Sequence, residues 1–241
     1  MAYTKRFDGR AIDETRPMIA KVGVVPRANG SAMLQIGHTT AIAAVYGPRE
    51  MHPKFMQNPG GGVLRCHYNM MPFSGHGDRV RPGQNRRAKE ISRVMENALR
   101  PVVDLSQFPN AVVDVFVELP QTDAGTRCAG ITAAAMALAD AGIDMKDLVA
   151  AVAVGFIDDR VVADLNYNEE HYNDYSDIED KDRPVADIPI AVLPGTGEIS
   201  LLQMDGKVKR EDLKQAIELG KKVAKKIYEV QKAALKERYQ E

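Results

Sequence analysis

An α+β fold of two βα lobes is what this sequence predicts, and three observations carry it. Strand-like alternation and helical periodicity occur in mixed blocks along the chain. Strands followed by a helix occur twice, once in each half. The 241 residues, 44% hydrophobic and 27% charged, give room for one large domain or two small ones packed together. The best boundary lies near Ala150 and divides residues 1–149 from residues 150–241, with nothing linker-like between them.

Taken in order, Val22 to Tyr46 reads as strand, Ala-Asn-Gly turn, strand, Gly37-His38 turn and strand, with Asn29-Gly30 the strongest hairpin signal. Residues 58–62 and 72–83, rich in Gly, Pro and Arg, read as loops around a strand from Leu64 to Met71. Arg86 to Leu99 is a helix with Ile91, Val94, Met95 and Ala98 on one face and Pro101 beyond its end. Ala111 to Leu119 alternates as a strand. A helix follows from Thr126 to Ala141, with Ile131, Ala135 and Leu138 in phase and Gly142 as its stop. Val149 to Ile157 and Arg160 to Leu165 are strands joined at Asp158-Asp159. Ile188 to Leu193 and Glu198 to Met204 repeat that pattern around Pro194-Gly195-Thr196-Gly197. A long helix from Arg210 to Lys236, with Leu213, Ile217, Ala224 and Ile227 inward, closes the chain.

Composition excludes several classes. No run approaches the roughly 18 apolar residues of a membrane span, and the polar start Met1-Ala2-Tyr3-Thr4-Lys5-Arg6 lacks the apolar centre of a signal peptide. The expectation is a cytoplasmic protein without a membrane partner. Cys66 and Cys128 lie in no CxxC pattern, and five scattered histidines form neither HExxH nor HxH, so neither a disulfide framework nor a transition-metal motif is present. The net charge of −1 hides segregation: residues 65–100 carry eight Lys/Arg against three acids, while residues 164–187 carry nine acids against two bases. The first block suits a polyanion; the second could hold a divalent cation or line a solvated loop.

The most informative stretch is Gln121-Thr122-Asp123-Ala124-Gly125-Thr126-Arg127-Cys128-Ala129-Gly130. It sets a glycine, a hydroxyl and an arginine at the mouth of an Ala-rich helix. First-turn N–H groups there lack intrahelical partners and carry the positive end of the helix dipole, so an anion can sit on them while Arg127 grips it bidentately. The bland alternative is an N-cap beside a surface charge.

Together, Asp8-Gly9-Arg10, Asn29-Gly30-Ser31-Ala32, Ala43-Ala44-Val45-Tyr46-Gly47-Pro48-Arg49-Glu50, Arg86-Arg87-Ala88-Lys89-Glu90-Ile91-Ser92, Asp123-Ala124-Gly125-Thr126-Arg127 and Leu201-Leu202-Gln203-Met204-Asp205-Gly206 resemble the ribonuclease PH family from end to end. The Tyr-Gly-Pro-Arg-Glu and Leu-Leu-Gln-Met-Asp-Gly runs liken the chain most to the archaeal-exosome branch of that family. The resemblance implies a ribonuclease PH fold (ribosomal protein S5 domain 2-like) and a phosphorolytic 3′-to-5′ exoribonuclease, in which inorganic phosphate attacks the terminal phosphodiester and releases a nucleoside 5′-diphosphate. It implies a phosphate pocket of Gly125, Thr126 and Arg127 with Arg87 as second arginine. It also implies RNA contacts at Arg65 and Arg86, with His67 standing where relatives often carry a basic residue.

The acidic segment departs from the family pattern of Asp-Leu-x-x-x-Glu-Asp followed six residues later by a second Asp. The resemblance implies that the pair serves as general acid and ligand of Mg²⁺ or Mn²⁺, and Asp187 matches its second aspartate. The first carboxylate is either Glu170, one methylene longer, or Asp180, in which case Asp180 and Asp187 would hold the metal. Implied partners are the 3′ end of single-stranded RNA, a related inactive subunit alternating with this one in a hexameric ring, and a cap of S1- or KH-type proteins. Two readings compete with the active ring subunit: an RNA-binding ring subunit without chemistry, supported by Glu170, and a self-assembling homohexamer that trims tRNA ends.

Overall fold

The computed structural model describes residue 3, residues 5–81, residue 83, residues 85–172 and residues 185–240. Five strands form the first sheet: β1 (Met18–Val22), β2 (Gly30–Ile36), β3 (Thr39–Glu50), β4 (Val63–Met70) and β5 (Ala111–Gln121), in the spatial order β1-β2-β3-β5-β4. All neighbours are antiparallel except β4 and β5, whose parallel pairing requires a crossover. Helix α1 (Arg86–Leu99) supplies it. β4 is an edge strand, and α1 covers that edge: the Cys66 and Tyr68 N–H groups donate to Glu96 Oε1 at 3.1 Å and Ser92 Oγ at 2.9 Å.

The second sheet joins β6 (Ala150–Ile157), β7 (Arg160–Ala163), β8 (Val185–Leu193) and β9 (Glu198–Leu202) in the antiparallel order β7-β6-β8-β9. Helix α2 (Thr126–Asp140) packs on β2, β3 and β5 and also on β6 and β8. Twelve of its fifteen residues are buried. A helix enclosed this completely cannot be amphipathic, which is why small and apolar residues occupy every face. Helix α4 (Arg210–Tyr239) lies on β6, β7 and β8 and buries Ala216, Val223, Ala224 and Ile227. The main core draws Ile131, Met136 and Leu138 of α2 together with Val115 and Val117 of β5 and Ala151, Ala153 and Ala191 of the second sheet. The two sheets therefore share one apolar interior through α2.

The elements match the α+β expectation closely and depart from it most at the following points. The first strand is Met18–Val22 and ends at Val22, where the sequence reading begins it; Ile19 faces solvent and breaks the apolar alternation. Asn29-Gly30 is no hairpin turn. Residues 23–29 connect β1 to β2, and a Cβ on Gly30 would stand 2.2 Å from the Ala141 backbone nitrogen, so this glycine serves the close approach of the α2 terminus. β9 stops at Leu202, two residues short, and β7 at Ala163, where Asp164 takes φ 52° to reach Arg16. Finally, the single turn α3 (Tyr167–Glu170) falls where no helix is expected, fixed by a capping box between Asn166 and Glu169.

Candidate active site

β5 ends where the second sheet and α2 meet, and its last residues are tied to the loop after β4. Thr122 donates both its N–H (2.9 Å) and its hydroxyl (3.0 Å) to the Ser74 carbonyl. Asp123 N–H donates to Thr39 Oγ1 at 2.9 Å, and the Thr39 hydroxyl donates to the Ala124 carbonyl at 2.8 Å. The chain then turns through Gly125, the N-cap of α2, with φ 63° and no side-chain cap. A side chain is disfavoured in that left-handed conformation, and glycine leaves the first-turn N–H groups uncovered. They open into a cleft of about 370 Å³ that also receives Arg87, Arg127, Glu170 and Asp187.

The elements that carry these side chains are held from behind. Arg127 donates to Gln203 Oε1 at 2.5 Å and lies 3.8 Å from Glu90 Oε1. Arg87 stands in the first turn of α1, which Asn85 caps by accepting from Ala88 N–H at 2.8 Å, and it forms no ion pair among the described residues. Glu170 projects from α3, and α3 is anchored by its neighbour Glu169, a fully buried carboxylate. Arg6 donates to Glu169 Oε1 and Oε2 at 2.8 and 2.7 Å, and the Tyr3 hydroxyl donates to Oε1 at 2.6 Å. Arg16 fastens the adjacent segment by donating to both oxygens of Asp164 (2.7 and 3.0 Å) while also donating to the Asp123 carbonyl. The Asp-Gly-Arg segment joins the same network, with Arg10 3.3 Å from Asp164.

Asp187 sits on β8, its N–H and C=O paired with those of Asp205, both at 2.9 Å. Its Oδ1 is buried and has no hydrogen-bond partner among the described residues. Burial first, and then the nearby Glu170 carboxylate, push its pKa up to about 7 against the opposing pull of Arg127. A buried carboxyl titrating near neutrality beside two arginines can exchange a proton with a bound anion or alcohol.

The structure thus brings Arg87, Gly125, Thr126, Arg127, Glu170 and Asp187 into one cleft. Arg86 is exposed at the start of α1 and does not line it. Arg65 and His67 lie elsewhere. Along β4 they alternate with Leu64, Cys66 and Tyr68, which are buried. On that opposite face Arg65 donates to Asp114 Oδ1 and Oδ2 at 2.5 and 3.0 Å, Arg49 donates to Oδ2, and His67 stands 3.5 Å from Oδ1 while stacking on Phe116. Burial works to raise Asp114, but His67, Arg65 and Arg49 outweigh it and hold the carboxylate far below its usual range. Two arginines share this one carboxylate. Asp180, the alternative first carboxylate and metal ligand, lies outside the described residues, as do Asp174, Asp177, Glu179 and Asp182. Cys66 and Cys128 are buried and free. Sequence reading assigned no role to Gln203 and Asp205, although it singled out their Leu-Leu-Gln-Met-Asp-Gly run, nor to His76, Tyr167 and His171, which line the cleft.

Comparison with known proteins agrees with this arrangement. Residues 14–144 match domain 1 of the RNase PH, or 3′ exoribonuclease, family and residues 147–223 match its domain 2. The exosome complex component Rrp41 of Pyrococcus furiosus is 49% identical over 235 residues, covering 98% of this chain and 89% of the relative. That of Methanopyrus kandleri is 49% identical over 234 residues, covering 97% and 93%. The crystal structure of rice Rrp46 superposes with a TM-score of 0.82 at 24% identity, covering 96% of this chain and all of that one, a likeness of fold. With both family domains matched in order across the two sheets and the cleft between them, this chain belongs to the RNase PH family of 3′ exoribonucleases.

Proposed function

We propose that the chain is the phosphorolytic subunit of an exosome-type ring, shortening RNA from its 3′ end with inorganic phosphate. The observation that carries this is the shared cleft: an uncapped helix N-terminus with Arg127 and Arg87 on one hand, and on the other a buried carboxyl, Asp187, titrating near 7. Phosphate is held by the Thr126 and Arg127 N–H groups and the Arg127 guanidinium, aimed at the terminal phosphorus. Its oxygen forms the new P–O bond as the bond to the ribose 3′ oxygen breaks. Arg87 and Arg127 stabilise the charge on the crowded phosphoryl oxygens. The departing 3′ oxygen takes the proton of Asp187, leaving a shortened RNA with a free 3′ hydroxyl and a nucleoside 5′-diphosphate.

Asp187 Oδ1, buried without a hydrogen-bond partner among the described residues and within the influence of the Glu170 and Asp205 carboxylates, suits a hydrated Mg²⁺ or Mn²⁺, which needs only one or two protein carboxylates beside substrate phosphates. Asp187 with Glu170 would hold it through its hydration water, which leaves Asp187 its proton, and when bound it supplies further positive charge to the reacting oxygens. In this reading residues 1–149 bring the phosphate and RNA contacts and residues 150–241 the acid. Arg86 and the patch of Arg65 and His67 would guide the RNA backbone in the approach to the cleft. Phe55 and Phe73 stand 87% and 74% exposed, apolar surface that a related ring subunit would cover; S1- or KH-type proteins would cap the ring in the cytoplasm.

The competing reading, a ring subunit without chemistry, rests on Glu170 in place of the family aspartate. Retention of Arg87, Arg127 and Asp187 in one cleft counts against it. The test is incubation of the chain and its ring partner with end-labelled RNA, with and without phosphate. Nucleoside diphosphate appearing only with phosphate, and not with Arg127→Ala, is the expected result; phosphate-independent release of monophosphate overturns the reading.

A further inference from the structure

Phosphate transfer leaves one part of the cleft unused. The Tyr167 ring stacks on two histidines: His76 at a centroid distance of 4.5 Å and an interplanar angle of 26°, and His171 at 4.1 Å and 25°. His76 comes from the loop after β4, whereas Tyr167 and His171 belong to α3 and its C-cap. All three rings line the same cleft as Arg87, Arg127 and Asp187.

The stack is built and not adventitious. Tyr167 N–H donates to Asp123 Oδ1 at 2.9 Å, which ties the ring's backbone to the residue that opens the anion loop. His171 Nδ1 lies 3.0 Å from the Tyr167 carbonyl, fixing the second ring against the first. His76 is exposed, so the stack reaches solvent at that ring. The central Tyr167 ring is covered by its two neighbours, so the π face left for a nucleobase is that of the exposed His76 ring, backed by Tyr167, and every base has a face that can stack there whatever its hydrogen-bonding edge. Met70 and Val80 add apolar wall to the same cleft.

We propose that the His76–Tyr167–His171 stack is the platform for the 3′-terminal nucleobase, which it takes by stacking without reading its hydrogen-bonding edge. The inference rests on the exoribonuclease reading for the identity of the ligand, an RNA 3′ end. Stacking of this kind is sequence-tolerant, favours purines by area, and weakens roughly 5- to 100-fold when the aromatic partner is removed.

The test uses the chain assembled with its ring partner and two RNA probes. The first carries 2-aminopurine as its terminal base and is read by fluorescence without phosphate, so that no turnover is needed. Quenching on binding is expected, lost in His76→Ala and reduced in Tyr167→Ala, and kept in Tyr167→Phe. Because Tyr167→Ala could disturb α3, His76→Ala, on an exposed loop, carries the test independently. The second probe compares kcat/KM for terminal adenosine with that for a terminal abasic nucleotide: roughly 5- to 100-fold in the wild type, collapsing toward one in His76→Ala and reduced in Tyr167→Ala. RNA that fails to bind, or binds without quenching, overturns the platform. Phosphate-dependent release that is equally fast from both RNAs overturns the platform and leaves the phosphorolysis reading standing.

Discussion

Asp187→Asn is expected to make the chain more stable and inactive at once. The Asp187 carboxyl rises from 3.8 to about 7 in the fold because burial and Glu170 disfavour its charge. Between these values the folded chain holds a proton that the unfolded chain has released, so stability falls as pH climbs through that window and levels off above it. Full expression of the shift corresponds to about 4 kcal/mol, and water in the open cleft screens part of it, leaving on the order of 2 kcal/mol. Urea denaturation of wild type and variant at about pH 4.5 and pH 8 reads this directly. The variant is expected to match wild type in acid and to exceed it by that amount at pH 8, while phosphorolysis drops by roughly 100- to 10,000-fold for want of a proton donor. A variant equally destabilised at both pH values would refute the reasoning, because Asp187 would then be a structural partner and not a strained acid.

Other perturbations separate the site from its scaffold. Arg127→Ala should lower kcat/KM roughly 100- to 1,000-fold in a phosphate titration while leaving thermal unfolding unchanged; unaltered turnover removes Arg127 from the phosphate pocket. Arg6→Ala strands the fully buried Glu169 and should cost about 3–5 kcal/mol, recovered in part by adding Glu169→Gln, as measured by denaturant unfolding. Asp114 has a depressed pKa, so its contribution is present above the ordinary carboxylate range and lost as pH falls through the acid range. In Asp114→Asn, the acid limb of a stability–pH curve should therefore be shallower, with neutral-pH stability lower by roughly 1–3 kcal/mol; an unchanged acid limb contradicts the cluster's role.

Legibility in the sequence followed the range of the interactions. Helix α1 matches its expected span, Arg86–Leu99, because an apolar face, an Asn85 cap and Pro101 all act locally. The turn into α2 was equally readable, since Gly125, Thr126 and Arg127 are contiguous and one helix start serves them all. Arg6 shows the opposite case: nothing local gives it a role, yet it is 2% exposed because its partner Glu169 lies 163 residues away. His76 and Tyr167 form their stack across some ninety residues with no spacing to signal it. Asn29-Gly30 misled for a related reason, since the local hairpin preference lost to the approach of α2 against Gly30, a contact no local pattern encodes.

The central claim is that phosphate itself attacks the RNA. The most direct measurement supplies radiolabelled inorganic phosphate with unlabelled RNA to the assembled ring and follows the label. The account predicts label in the β-phosphoryl group of the released nucleoside diphosphates, and none with Arg127→Ala. Shortened RNA with all label remaining as inorganic phosphate would contradict it.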